Sequence, residues 1–309
     1  MERTIVHLDL DTFFVSVERL INASLKDKPV IIGGSGDRGV VASCSYEARK
    51  FGVHSAMPIK LAHRLCPQAI FIRGDYEQYE KYSKVVTDII KEVAPVVEKA
   101  SIDEHYLDLT GMDKFFGCVK WTKELKARIK HESGLPISFG LSPNKTVSKI
   151  ATGESKPNGE LEIQPAFTRE FLNPLSVSKI PMVGEKMSGK FRSMGISTIA
   201  VLSSFPVELI QKAFGENGRS VWLKANGIDT SPVVPYMERK SISSETTFQQ
   251  DTIDVDYLND VLIKMIEKLA FQLRKEKKLT SCVTIKIRYS NFDTHTQQLK
   301  YLIPQQIMC

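Results

Sequence analysis

The chain has 309 residues, 42% of them hydrophobic and 25% charged, which describes an ordinary globular protein too long for a single core. No apolar run approaches the roughly 18 residues of a membrane helix. The N-terminus opens directly into a strand pattern, so a transmembrane helix and a signal peptide are excluded and a cytoplasmic protein is expected. The formal charge of +6 is localised: residues 261–290 hold Lys264, Lys268, Arg274, Lys275, Lys277, Lys278, Lys286 and Arg288 against Glu267 and Glu276, and the rest of the chain is neutral. Such an element suggests a polyanion grip, with a solvated helix end as the plainer alternative. The five scattered cysteines form no C-x-x-C pair and read as reduced thiols, not zinc ligands.

Residues 4–10 alternate as a buried strand on which Ile5, His7, Asp9 and Asp11 share a face. Asp9 then projects toward a cleft while Val6, Leu8 and Leu10 pack inside. A helix over Phe13–Ile21 follows, with Asp11 or Thr12 as its cap. Phe13 and Phe14 cannot both face the core from a helix, so one of them looks into the cleft beside Asp9. Short strands over Pro29–Gly34 and Gly39–Ser43 come next, the second built from small side chains. A capped short helix then ends at Gly52. On it Tyr46 and Arg49 lie on one face, where a phenol and a guanidinium can hold phosphate oxygens. A surface arginine beside a half-buried tyrosine is the alternative. The helix from about Tyr79 to Val93 carries a core stripe at Tyr82, Val86, Ile89 and Val93, and Pro95 stops it.

Between the β-prone flanks Val93–Ala100 and His105–Leu109 stand the adjacent acids Asp103 and Glu104. Neighbouring side chains on a regular strand point to opposite faces, so both can serve one site only at a hairpin tip, a bulge or a strand end. Alone the pair is a charged turn. With Asp9 on a second strand it offers the oxygen ligands that Mg²⁺ requires. A helix over about Lys114–Ser133, a strand over Pro136–Leu141 and a helix carrying Lys145 and Lys149 follow. The turn Lys156-Pro157-Asn158-Gly159 then fixes a lysine at a defined point. This order predicts an α+β fold, a mixed sheet backed by helices.

Past residue 166 the segment Ile180-Pro181-Met182-Val183-Gly184 and the basic helix Glu185–Met194 form a helix-hairpin-helix pattern, which grips a nucleic-acid backbone without reading sequence. Residues 228–240 read as a linker and Ser241–Phe248 as a strand. Residues 255–277 read as a helix with Leu258, Leu262, Ile266, Leu269 and Leu273 on one face. Cys282–Ser290 and Thr296–Leu302 are two further strands. The sequence ends at Cys309 with no second helix over this sheet, so the domain is expected to be incomplete.

Taken in order, these motifs resemble the Y-family translesion DNA polymerases, in the DNA polymerase IV (DinB-type) branch. The matching pieces are His7–Phe14, Gly39–Val53, Ser101–Leu109, Asn144-Lys145 with Lys149, Lys156–Gly159 and Arg239-Lys240-Ser241-Ile242. The resemblance runs from residue 4 to about residue 302. It implies a right-hand polymerase with palm 1–18 and 79–166, fingers 19–78, helix-hairpin-helix thumb 167–231, linker 232–240 and an α/β little finger 241–309, C-terminally incomplete. The implied reaction is template-directed transfer from a deoxynucleoside triphosphate (dNTP) to a primer 3′-OH, at low fidelity past damaged bases in DNA repair.

By the same resemblance Asp9, Asp103 and Glu104 are the catalytic, metal-binding carboxylates, with the Leu10 carbonyl as a backbone ligand. They would hold two Mg²⁺ ions, for which Mn²⁺ can substitute. Tyr46, Arg49 and Lys156 are the implied triphosphate clamp, and Phe14 the steric gate against a ribose 2′-OH. Val40, Ala42 and Ala56 border the nascent base pair. Lys145, Lys149, Gly184, Lys186, Arg239, Lys240, Ser241, Lys286 and Arg288 are the implied DNA contacts. The implied partners of this monomer are primer-template DNA and dNTP, with no membrane. A sliding clamp stays open because its usual C-terminal tail is absent from the sequence.

Three departures stand out. Met182 occupies a place where glycine is usual. His105, next to the acids, replaces a small or apolar residue and is expected to be a packing or solvent-facing variant. The little finger lacks its last helix and strand. Two other readings remain: a catalytically silent DNA-binding accessory subunit, and another two-metal palm enzyme such as a nucleotidyl cyclase.

Overall fold

The computed structural model describes residues 3–34, 36, 38–112, 117–236 and 238–305. They divide into two units, Met1–Ser35 with Gly39–Met237, and Gly36–Arg38 with Glu238–Cys309. The first unit begins with β1 (Ile5–Leu10) and α1 (Phe13–Ile21), followed by β2 (Val30–Gly33), β3 (Val41–Cys44), α2 (Tyr46–Arg49), α3 (Ile59–Leu65) and β4 (Ile70–Ile72). It continues through α4 (Tyr76–Val93), β5 (Val97–Lys99), β6 (Glu104–Asp108), α5 (Cys118–Ser133), β7 (Ile137–Ser142), α6 (Lys145–Ser155) and β8 (Glu160–Glu162). The helices α7 (Thr168–Leu172), α8 (Glu185–Ser193), α9 (Ile199–Ser204) and α10 (Val207–Ala225) complete it.

β1 sits at the centre of a five-stranded sheet ordered β5-β6-β1-β7-β8, in which β7 with β8 is the parallel pairing and the other neighbours pair antiparallel. Its Val6, Leu8 and Leu10 are buried in the main core, as the alternation requires, and Ile5 on the opposite face is buried with Tyr106 and Val233. β2, β3 and β4 make a separate small sheet ordered β3-β2-β4. Asp75 caps α4 by accepting from the Glu77 and Gln78 amides, and Asn144 caps α6 by accepting from Val147 N at 3.0 Å. A Cβ at Gly140 would lie 2.3 Å from Ser148 O and 2.6 Å from Thr152 N. Only glycine there lets α6 lie so close over the sheet, and that closeness brings the α6 side chains to the acids of β6.

Several expectations are corrected. Neither Asp11 nor Thr12 caps α1 with its side chain; Thr12 is left-handed (φ 42°) and makes no capping bond. Asp11 instead accepts from Ser138 Oγ at 2.9 Å and from Asn158 N at 2.6 Å, which ties β1 to the turn bearing Lys156. On α4 the buried stripe is Tyr79, Val86, Ile89 and Ile90, whereas Val93 is 40% exposed at the helix end. The expected start of the helix at Lys114 lies outside the described residues, and α5 is described from Cys118.

The second unit contains α11 (Val255–Lys275) and the antiparallel pair β9 (Thr280–Arg288) and β10 (Thr294–Gln305). Leu258, Leu262, Ile266, Leu269 and Leu273 of α11 are half-buried, as their spacing predicts. Ser241–Phe248 forms no strand: its alternation is real, but among the described residues no ladder partner is present. The sheet is therefore two-stranded, not three-stranded. Residues 306–309, the end of the expected open edge, lie outside the described residues.

Candidate active site

The acid pair straddles the end of a strand, and Asp103 lines a cleft. Asp103 closes the β5–β6 turn, and Glu104 is the first residue of β6, in register with Asp9 of β1. Leu10 N donates to Asp103 O at 3.1 Å, which locks the turn onto β1. Ser101 Oγ donates to Asp103 Oδ1 at 2.6 Å and accepts from Glu104 N at 3.1 Å. Asp9, Leu10, Asp103, Lys156, Arg49, Ala42, Ser43, Ser55, Thr12, Phe13 and Phe14 line a cleft of about 160 Å³. Seven of the sequence-derived site residues thus meet there.

Two lysines neutralise the acids. Lys156 Nζ lies 2.5 Å from Asp9 Oδ1, and Lys149 Nζ lies 2.6 Å from both oxygens of Glu104. The Asp9 carboxyl is pushed up to about 7, first by burial and then by the charges of Glu104 and Asp103, against the pull of Lys156. Burial also pushes Glu104 up, but the Lys149 ammonium in contact with both of its oxygens outweighs it, and this carboxyl is held well below the usual range. His7 Nε2 is 3.8 Å from Glu104 Oε1, beyond hydrogen-bond reach, and burial keeps the ring neutral.

His7 Nδ1 lies 2.9 Å from Thr152 Oγ1, which also reaches Ser148 O at 2.8 Å and His7 O at 3.0 Å, and Nε2 is buried without a hydrogen-bond partner.

The donor chemistry suits hard divalent cations: the Asp9 and Asp103 carboxylates line the cleft with Leu10, Glu104 is the ladder partner of Asp9, and cations relieve the mutual repulsion of these acids. In this conformation Lys156 and Lys149 occupy oxygens of Asp9 and Glu104, and among the described residues no three His, Cys, Asp or Glu side chains converge as a ligand set. Engaging a cation there requires Lys149 and Lys156 to give up these contacts.

Around the acids, Ser45 caps α2 and presents Tyr46 and Arg49 on one face, the guanidinium carbon 5.1 Å from the ring centroid. The Tyr46 hydroxyl is buried without a partner, and burial, reinforced by Asp11, raises its pKa. Phe13 is in the core, and Phe14 is the half-buried ring at the cleft, stacked on Tyr79 at 4.3 Å and 14°. Tyr79 was not singled out from the sequence; only the packing of α1 on α4 shows that it backs Phe14. Val40 and Ala56 are exposed near Ala42, with Ala56 N bonded to Val41 O at 2.8 Å.

Lys145 is placed differently from the expectation. It is only 16% exposed, makes bonds of 2.7 and 2.8 Å to both oxygens of Glu98, and lies 4.6 Å over the Tyr106 ring. It is an internal counter-ion, not an outward phosphate contact. Lys149, assigned to DNA with it, belongs to the acid cluster. His105 is fully buried, so of its two expected roles packing holds and solvent exposure does not. Gly184 begins α8 with no side-chain cap, Lys186 is exposed, and Met182 takes the left-handed φ of 81° that favours glycine. In the second unit Arg239 pairs with Glu276 at 3.0 Å and Lys286 with Glu245 at 2.6 Å, while Lys240 and Ser241 are exposed and Arg288 bonds Thr294 Oγ1 at 3.0 Å.

The sequence matches the impB/mucB/samB family over residues 8–153 and that family's C-terminal domain over residues 239–306. It is 42% identical over 298 residues to a DNA polymerase IV of Dehalococcoides mccartyi, covering 96% of this chain and 76% of that protein. A DNA polymerase IV of Xanthomonas euvesicatoria is 40% identical over 291 residues, covering 94% and 81%. The chain belongs to the Y family of DNA polymerases. Among solved structures, a Y-family DNA polymerase chimera of Dbh and Dpo4 matches with a TM-score of 0.86 at 28% identity, covering 97% of this chain and 88% of that one. DinB from Sulfolobus solfataricus matches with a TM-score of 0.71 at 27% identity, covering 97% and 88%. This polymerase therefore has the right-hand architecture and carries out DNA-directed DNA synthesis of the translesion kind. As a Y-family nucleotidyltransferase it uses divalent metal ions. The readings as a silent accessory subunit or a nucleotidyl cyclase are not favoured. No helix among the described residues is long and apolar enough to cross a membrane.

Proposed function

We propose that Asp9, Asp103 and Glu104, with the Leu10 carbonyl, hold two Mg²⁺ ions, replaceable by Mn²⁺, for dNTP addition to the 3′-OH of primer-template DNA. One observation carries this reading: Asp9 and Glu104 are ladder partners, and the Asp103 carbonyl is bonded to Leu10 N between them. Bound there, the ions would lower the pKa of the primer hydroxyl and neutralise charge on the α-phosphate and the departing pyrophosphate.

The chain's own residues do the rest. Arg49 grips triphosphate oxygens in the fixed geometry of its fork, Lys156 adds a mobile point charge, and the Tyr46 hydroxyl donates. Phe14 excludes a 2′-OH, and Val40, Ala42 and Ala56 leave room above the templating base, which suits synthesis past damage. Phosphoryl transfer asks for positioning and electrostatics, so no Ser, Cys or His nucleophile is required.

In this reading the palm is 1–18 and 79–166, the fingers 19–78, the thumb 167–231, the linker 232–240 and the little finger 241–309. Gly184, Lys186, Arg239, Lys240, Ser241, Lys286 and Arg288 hold the DNA. The exposed pairs of Arg239 and Lys286 are weak enough to exchange for phosphates. The enzyme works as a cytoplasmic monomer, and a sliding clamp is an open partner.

The test is primer extension with Mg²⁺. Asp103→Ala and Glu104→Ala should abolish extension while folding and DNA binding persist. Full activity in either folded variant refutes the site. Binding of DNA without extension at any divalent metal would revive the accessory-subunit reading.

A further inference from the structure

One turn of α4 reaches both sides of the acid pair. Ser83, fully buried, donates its hydroxyl hydrogen to Ile102 O, the carbonyl just before Asp103, and accepts from Lys99 Nζ at 2.7 Å. Thr87, one turn further, donates to Ser83 O at 2.7 Å. The same hydroxyl lies 2.9 Å from His105 Nε2, a buried bond that ties the ring to α4. His105 follows Glu104 directly on β6 and, by strand alternation, points away from the face that Glu104 presents.

We propose that Ser83 and Thr87 are positioning residues of this polymerase. Ser83 fixes the backbone ahead of Asp103, and Thr87, through the His105 ring, fixes it behind Glu104. The inference rests on Asp103 and Glu104 being the metal-binding carboxylates. None of these three side chains lines the cleft, so each acts through the acids it holds. Outer-shell partners of metal ligands typically change metal affinity or activity about 10- to 100-fold when removed. Thr87→Val keeps the shape of the side chain but leaves His105 Nε2 without its hydroxyl partner. The ring and the β6 backbone bearing Glu104 then lose their tether.

The experiment compares the full chain with its Thr87→Val, Thr87→Ser, Ser83→Ala and Asp103→Ala variants. Two quantities are read: half-saturating Mg²⁺ in primer extension, and amide hydrogen exchange of residues 101–105 in the metal-free protein. Thr87→Val and Ser83→Ala should raise half-saturating Mg²⁺ about 10-fold and speed exchange of that segment several-fold, with KM for DNA unchanged. Thr87→Ser, which keeps the hydroxyl, should behave as the wild type. Wild-type Mg²⁺ dependence and exchange in Thr87→Val would overturn the proposal, as would equal damage in Thr87→Ser, which would make the methyl group the important part. If Ser83→Ala fails to fold, the Thr87 pair decides. Asp103→Ala separates the two readings: retained activity removes the site assignment, whereas an inactive Asp103→Ala beside an unaffected Thr87→Val removes only this inference.

Discussion

Lys149 places its ammonium 2.6 Å from both carboxylate oxygens of Glu104. The pair is part-buried, so losing the ammonium leaves a charged carboxylate short of its partner. Charge-assisted bonds of this kind contribute about 1–2 kcal/mol once discounted for partial exposure. Lys149→Met should therefore lower the Tm of the metal-free protein by a few degrees. Millimolar Mg²⁺ should restore most of that loss, because a cation replaces the ammonium, while the wild type gains little. Differential scanning fluorimetry with and without Mg²⁺ checks this. A variant that melts like the wild type in EDTA would show that Lys149 does not neutralise Glu104.

Lys145 and Glu98 pose the same problem deeper in the fold, with side chains 16% and 10% exposed. Glu98 also accepts from Val234 N at 2.7 Å, so the pair fastens the chain after α10 to β5. Removing one partner of a buried ion pair costs about 3 kcal/mol or more. Lys145→Met should thus lower Tm by at least roughly 6 °C. The salt dependence of DNA affinity should stay unchanged, whereas loss of a phosphate contact would reduce its log–log slope by about 1. Fluorescence anisotropy at several salt concentrations distinguishes the two. A flatter slope with unaltered Tm would return Lys145 to the DNA surface.

His105 gives stability a defined pH dependence. Burial, with Lys99 and His7 adding to it, lowers its pKa from 6.5 to about 3. The unfolded chain therefore binds a proton that the folded chain refuses. Its contribution is fully present above pH 6.5 and is lost as pH falls from there toward 3, at up to about 1.4 kcal/mol per pH unit. His105→Leu removes this proton, so its unfolding free energy should fall less steeply than that of the wild type between those limits. Urea titrations at pH 7.5, 6 and 5 measure the difference. Parallel pH profiles would mean that His105 takes up its proton without unfolding.

The residues legible in the sequence were those whose role follows from local pattern. The alternation of β1 sends Asp9 to the cleft, and the acid pair stands at a strand end. The glycine-like turn at Met182 was also legible, and that residue does adopt φ 81°. Burial of His105 could have been read the same way, since alternation sends it to the face opposite its part-exposed neighbour Glu104. What stayed hidden depends on packing between elements distant in sequence. Lys145 and Lys149, four apart on α6, were both implied DNA contacts, but each meets an acid on a different strand, Glu98 of β5 and Glu104 of β6. Ser241–Phe248 alternates like a strand, yet alternation supplies no ladder partner.

Phe14 is held in the cleft from behind. Its ring stacks on Tyr79 and meets Tyr76 edge-on at 6.4 Å, and Tyr79 Oη donates to Glu18 Oε1 at 2.6 Å. A ring fixed on two sides cannot retreat from a ribose 2′-OH, and this rigidity is what a steric gate needs. Phe14→Ala should cut discrimination against ribonucleotides by at least about tenfold, the scale of a lost steric contact. Tyr79→Ala should give a smaller loss by freeing the Phe14 ring, and Tyr79→Phe, which keeps the stack, almost none. Single-nucleotide insertion with matched deoxy- and ribonucleotides yields the ratio of kcat/KM values for each variant. Unchanged sugar selectivity in Phe14→Ala would move the gate to another cleft residue. Equal effects of Tyr79→Phe and Tyr79→Ala would assign the backing to the hydroxyl bond with Glu18 and not to the stacked ring.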